Sequence, residues 1–98
     1  MAIIKNDLVP GQIVKSKAGH DKGQMYVILK EEGEYLYLVD GKTRGVDNPK
    51  KKKKKHVQPV KTGADEKLAE KIKDMRTIYN EEIRFAIKSR TNKEVDNV

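Results

Sequence analysis

The chain has no cysteine, no tryptophan, one phenylalanine (Phe85) and three prolines among its 98 residues. The missing cysteine excludes disulfides and thiolate zinc sites, and suits a reducing compartment. No apolar run approaches the roughly 20 residues of a membrane span. The start, Met1-Ala2-Ile3-Ile4-Lys5-Asn6-Asp7, lacks the long apolar region of a secretory leader. The expectation is a soluble, cytoplasmic protein. With 36% hydrophobic and 38% charged residues, the chain can bury a modest core but not a deep substrate cavity. It also shows no nucleophile set beside a base, no metal-ligand cluster and no phosphate-cradling loop. Neither catalytic residues, a metal nor a cofactor is expected.

What is present is positive charge, unevenly placed. Residues 1–61 carry 14 Lys and Arg against 7 Asp and Glu, whereas residues 62–98 carry 8 of each. The whole net charge of +7 therefore lies in the first two thirds. A basic unit beside a neutral one points to a polyanionic partner for the basic part; simple solubility is the plainer reading.

The first two thirds read as short strands separated by turns. Val9-Pro10-Gly11-Gln12 is a β-turn, followed by a strand over Ile13–Ser16. Ala18-Gly19-His20-Asp21-Lys22-Gly23 is a polar loop, followed by a strand over Gln24–Glu31. Both faces of that second strand are apolar, so it is expected to be central or strongly bent. A third strand, Tyr35–Val39, ends at the turn pair Asp40-Gly41. Lys42–Val46 is a candidate fourth strand and His56–Val60 a last one, which Pro59 confines to an edge or an end.

The period then changes. From Ala64 to Ser89, Leu68, Ile72, Met75, Tyr79, Ile83 and Ile87 recur at steps of three and four, which predicts a single amphipathic helix of about 26 residues. Thr62 and Asp65 have the spacing of a capping box. Such a helix would be roughly 39 Å long, longer than a 60-residue barrel is wide, so part of it is free to project or to meet a partner.

Gly11-Gln12-Ile13-Val14, Ala18-Gly19-His20-Asp21-Lys22-Gly23 and Tyr26-Val27-Ile28, in that order, resemble a KOW motif. The motif occurs in ribosomal proteins and in NusG-type transcription elongation factors. Leu38-Val39-Asp40-Gly41-Lys42-Thr43-Arg44 is similar to the corresponding segment of large-subunit ribosomal proteins of the fourteen-e type. The resemblance covers roughly residues 8–60. It implies an SH3-like barrel that binds RNA, usually ribosomal RNA. Unlike that type, this chain carries six consecutive lysines, Lys50 to Lys55.

On this reading Lys22 meets a phosphate, and His20 stacks on or bonds to a base or ribose. Lys17 flanks the same loop, and Lys42 and Arg44 share its end of the barrel. Lys50, Lys51, Lys52, Lys53, Lys54 and Lys55 repel one another when unbound. They are therefore expected to form a flexible loop that contacts phosphates with little sequence preference. Gly19 and Gly23 are equally consistent with plain turn chemistry. Tyr35 and Tyr37 share a strand face and could stack bases, but core or surface packing is the preferred expectation.

The expected organisation is thus mainly β with a C-terminal helix. A barrel spans 1–61, with a basic loop at 49–56, then a helix at 62–90 and a disordered tail at 91–98. The expected function is non-enzymatic RNA binding on the ribosome, as part of a ribonucleoprotein in translation. The alternative is an adaptor that docks on a protein of the transcription or translation machinery through the barrel or the helix.

Overall fold

The computed structural model describes residues 8–96, and for residues 61–63 and 91–96 it describes the backbone alone. Five strands, β1 (Gln12–Ser16), β2 (Met25–Glu32), β3 (Tyr35–Val39), β4 (Lys50–Lys53) and β5 (Val57–Ala64), form one antiparallel sheet in the order β4-β3-β2-β1-β5. The sheet curls into a half-barrel and is covered by two helices, α1 (Glu66–Lys73) and α2 (Asn80–Asp96).

The curl follows from β2. It is the middle strand, and its pairing with β3 slips by one residue between Ile28 and Lys30. A bulge of this kind bends the strand and sharpens the local twist. Both of its faces are then buried, for different reasons. Inside the curl, Val14, Tyr26, Ile28, Leu36, Leu38 and Val57 pack together. Outside it, Ile13, Val27, Val39 and Val60 are capped by Leu68 of α1 and by Ile83 and Ala86 of α2. Pro59 lies on β5, an edge strand, where a missing N–H costs least.

Four expectations need correction. The fourth strand is not Lys42–Val46 but the lysine run, whose Lys50–Lys53 pairs with Leu38–Tyr35. The basic segment is therefore ordered backbone rather than a flexible loop, and Lys54–His56 continues it as a turn of 3-10 helix. The single long helix is two helices. Lys71 C=O accepts from Arg76 N–H at 2.9 Å and Ile72 C=O from Met75 N–H at 3.0 Å, the paired bonds of a Schellman ending. Met75 takes the left-handed conformation (φ 58°) that glycine usually supplies there. The chain then folds back, and Lys71 pairs with Glu82 at 2.5 Å to tie α1 to α2. The tail expected to be disordered is helical through Asp96, while residues 97 and 98 lie outside the described residues.

Asp65 itself caps α1, accepting from Leu68 N–H at 3.1 Å, and the side chain of Thr62 lies outside the described residues. Among the described residues, no helix is long and apolar enough to cross a membrane.

Candidate nucleic-acid interface

The Gly19–Gly23 loop is closed by its own backbone. Lys22 N–H reaches Gly19 C=O at 3.2 Å, and Gly23 N–H reaches Ser16 C=O at 2.9 Å. What holds it to the sheet is Asp21. Its carboxylate accepts from the Ser16 hydroxyl (2.8 Å) and the Tyr26 phenol (2.7 Å), and pairs with the ammonium groups of Lys50 (2.9 Å) and Lys52 (3.1 Å). Lys52 also donates to Ala18 C=O at 3.0 Å. Burial alone would push this carboxyl up. The hydrogen bonds from Tyr26, Lys50, Ser16 and Lys52 outweigh that and hold it well below the usual carboxylate range. Burial, with the Asp21 charge beside it, pushes the Tyr26 phenol well above its ordinary value.

A second carboxylate shapes the neighbouring turn. Asp40 accepts from the backbone N–H of Lys42 and of Arg44, both at 2.8 Å, and from the Thr43 hydroxyl at 2.8 Å. Gln24 donates to the Oδ2 it shares with Thr43 at 2.9 Å. Here too burial opposes ionisation, and the hydrogen bonds together keep the carboxyl below its ordinary value. The Gln24–Asp40 bond joins the two loops, so Lys22 and Lys42 extend into solvent from one braced end of the sheet.

The lysine run is divided by strand alternation. Lys50 and Lys52 lie opposite Leu38 and Leu36 on the inner side and are taken up by Asp21. Lys51 and Lys53 lie opposite Tyr37 and Tyr35 on the outer side. The Lys51 ammonium sits 4.7 Å from the Tyr35 ring centre and 5.9 Å from that of Tyr37. Lys53 lies 5.9 Å from Tyr35, and Lys30 lies 5.5 Å from Tyr37. Among the described residues, neither Lys51 nor Lys53 has a carboxylate within salt-bridge distance. Lys54 pairs with Glu31, and Lys55 is exposed.

The expected site residues thus separate into three groups, with Lys54 half-buried and paired with Glu31. Lys17, His20, Lys22, Lys42, Lys51 and Lys55 are exposed, Lys53 and Arg44 are half-buried, and Lys50 and Lys52 hold the fold. Lys17 N–H bonds to His56 C=O at 2.7 Å, which sets the loop beside the 3-10 turn. Tyr35 and Tyr37, for which packing is the preferred expectation, are half-buried and carry Lys30, Lys51 and Lys53 against their rings. The signal for them was the register of Tyr-Leu-Tyr-Leu against the lysines, which single-strand patterning does not contain.

Sequence reasoning also missed a cleft of about 590 Å³ between the loop end and α2, lined by Gly23, Gln24, Lys42, Arg84, Phe85 and Lys88 among others. Arg84 braces it by donating to Gly41 C=O at 2.6 Å. Among the described residues no three His, Cys, Asp or Glu side chains gather as metal ligands. Comparison of the chain with protein-family models and with curated proteins gives no match.

Proposed function

We propose that this is a non-enzymatic RNA-binding protein with an SH3-like, KOW-type barrel, acting in the cytoplasm on the ribosome through ribosomal RNA. The observation that carries this reading is the braced loop end. Asp21 and Asp40 are spent on holding two turns in place, and the cations beside them, Lys17, Lys22 and Lys42, are left in solvent. Cations positioned in advance on rigid turns suit the phosphates of a folded RNA, whose backbone has a fixed shape. They lose less side-chain freedom on binding than cations on a floppy loop would.

The triple variant Lys17→Gln, Lys22→Gln, Lys42→Gln should bind a folded ribosomal RNA fragment about 10-fold or more weakly at low salt. Its slope of log affinity against log salt should fall by about one for each phosphate contact removed. Fluorescence anisotropy across a salt series measures both. An unchanged affinity with an unchanged slope would contradict the assignment.

The adaptor reading has one specific foothold, since Phe85 on α2 is 72% exposed beside the cleft. Removing residues 62–98 would not separate the two readings cleanly, because Leu68, Ile83 and Ala86 belong to the core. A Phe85→Ser variant does so. It should leave RNA affinity within about 2-fold, whereas a helix-docked adaptor would lose its protein partner.

A further inference from the structure

We propose that the uncovered part of the sheet's outer face, Tyr35 and Tyr37 with Lys30, Lys51 and Lys53, is a stacking platform for single-stranded RNA. The proposal rests on the RNA-binding reading and assigns a second surface and a second RNA form to it. The helices cover this face around Ile13, Val27, Val39 and Val60, with Met25 and Leu29 packed against the same cluster, and β3 and β4 continue past it at Tyr35, Tyr37, Lys51 and Lys53. On that continuation the alternation leaves two aromatic rings side by side, with three ammonium groups within 6 Å of their centres.

Spacing selects the form of RNA. Residues two apart on a strand are about 6.6 Å apart, whereas stacked bases in a duplex rise about 3.4 Å along each strand. Neighbouring bases of a duplex cannot lie on both rings, but bases of an extended single strand can. Ring orientation is already set, because the Tyr37 phenol donates to Glu32 at 2.7 Å and thereby stays below the usual phenol acidity. Among the described residues Glu32 is the one acid hydrogen-bonded to these rings, and it discourages a phosphate on the β2 side. Lys51 and Lys53, which have no carboxylate within salt-bridge distance among the described residues, make the β4 side the phosphate side.

Magnitudes favour binding over self-association of the side chains. An exposed ammonium resting on a ring is worth about 2- to 5-fold. A base stacked on a ring is worth about 5- to 150-fold. The lysines therefore leave the rings for phosphates when a strand arrives.

The test uses the full chain, a fluorescein-labelled ten-residue oligouridylate and a folded ribosomal RNA hairpin. The variant Tyr35→Leu, Tyr37→Leu should bind the oligouridylate about 10- to 100-fold more weakly than wild type and bind the hairpin within 2-fold. The variant Tyr35→Phe, Tyr37→Phe keeps the rings and should stay within about 3-fold on both. On the wild-type chain, photocrosslinking with 4-thiouridine in the oligonucleotide should map to the peptide holding Tyr35 and Tyr37, a readout that does not depend on any variant folding. Equal oligouridylate binding by the leucine variant, or crosslinks confined to other peptides, would overturn the platform while leaving hairpin binding as support for the RNA reading. Wild type binding neither RNA would overturn both.

Discussion

Replacing Asp21 with Ala should lower the stability of the fold by about 2–4 kcal/mol, because it strands the buried Tyr26 phenol (about 1–3 kcal/mol) and removes the shared partner of two partly exposed ammonium groups (about 1 kcal/mol). Four donors converge on this carboxylate. Without it the Tyr26 phenol, on a residue 3% exposed, loses its acceptor, and the Ser16 hydroxyl keeps only the longer bond to Ala18 C=O at 3.1 Å. The Lys50 and Lys52 ammonium groups would then face each other with nothing between them. Total stabilities are about 5–15 kcal/mol, so the variant should be marginal, and urea unfolding measures the loss. A loss below 1 kcal/mol would show that the loop is held some other way. Asp21→Asn keeps an acceptor for the two hydroxyls and should cost less.

The same group sets the acid limb of stability. Its pKa in the folded chain is held below the ordinary 3.8, so folding favours the ionised form. The stabilisation is complete above about pH 3.8 and fades as pH falls through the lower folded value. Tyr26 works in the opposite sense. Its raised pKa means the fold favours the neutral phenol, so stability declines as pH rises past the ordinary 10.0. In Asp21→Asn the stability curve should lose much of its acid limb, while Asp40, Glu32 and Glu82, lowered as well, keep the remainder.

The second large effect is expected at Gly11. Its φ is +95°, and an added Cβ would lie 2.6 Å from the Ala69 Cβ and 2.8 Å from the Ala69 Cα. Those atoms cannot rotate away, so α1 itself must shift. The Gly11 N–H meanwhile donates to Ile28 C=O at 2.8 Å, and its C=O accepts from Asp65 N–H at 3.0 Å, which pins both sides of the contact. Left-handed strain of about 1–2 kcal/mol and overpacking of about 1–3 kcal/mol give Gly11→Ala a loss of about 2–5 kcal/mol. Gly23→Ala is the matched control. Its φ is +93°, but nothing lies within 4 Å of the added carbon, so only the strain should register. Equal losses for the two would mean that the α1 contact carries no energy.

The strands were legible where short apolar runs are bounded by turn residues. Tyr35–Val39 was placed to the residue, and the apolar faces of β2 announced a central, bent strand. Strand β4 was not legible because a run of lysines has no alternation of its own; its two faces are defined by Leu36, Leu38, Tyr35 and Tyr37 across the ladder. The helix break was hidden for a related reason. The three–four spacing runs unbroken from Leu68 to Ile87, yet Met75 is 92% exposed because the chain turns there without a glycine to mark it. In the sequence Asp21 is simply one polar residue of the Gly19–Gly23 loop. Its role emerges only when Tyr26, Lys50 and Lys52, distant in sequence, are brought around it. Charge alone placed the positive excess in the first two thirds of the chain, but it could not tell the two structural lysines from the exposed ones.

The most direct measurement is ultraviolet crosslinking of the full chain to RNA in living cells, with sequencing of the bound RNA. The account predicts enrichment of a defined ribosomal RNA region, weakened in the Lys17→Gln, Lys22→Gln, Lys42→Gln variant. Recovery of no RNA, or of messenger RNA without preference and equally from both proteins, would contradict it.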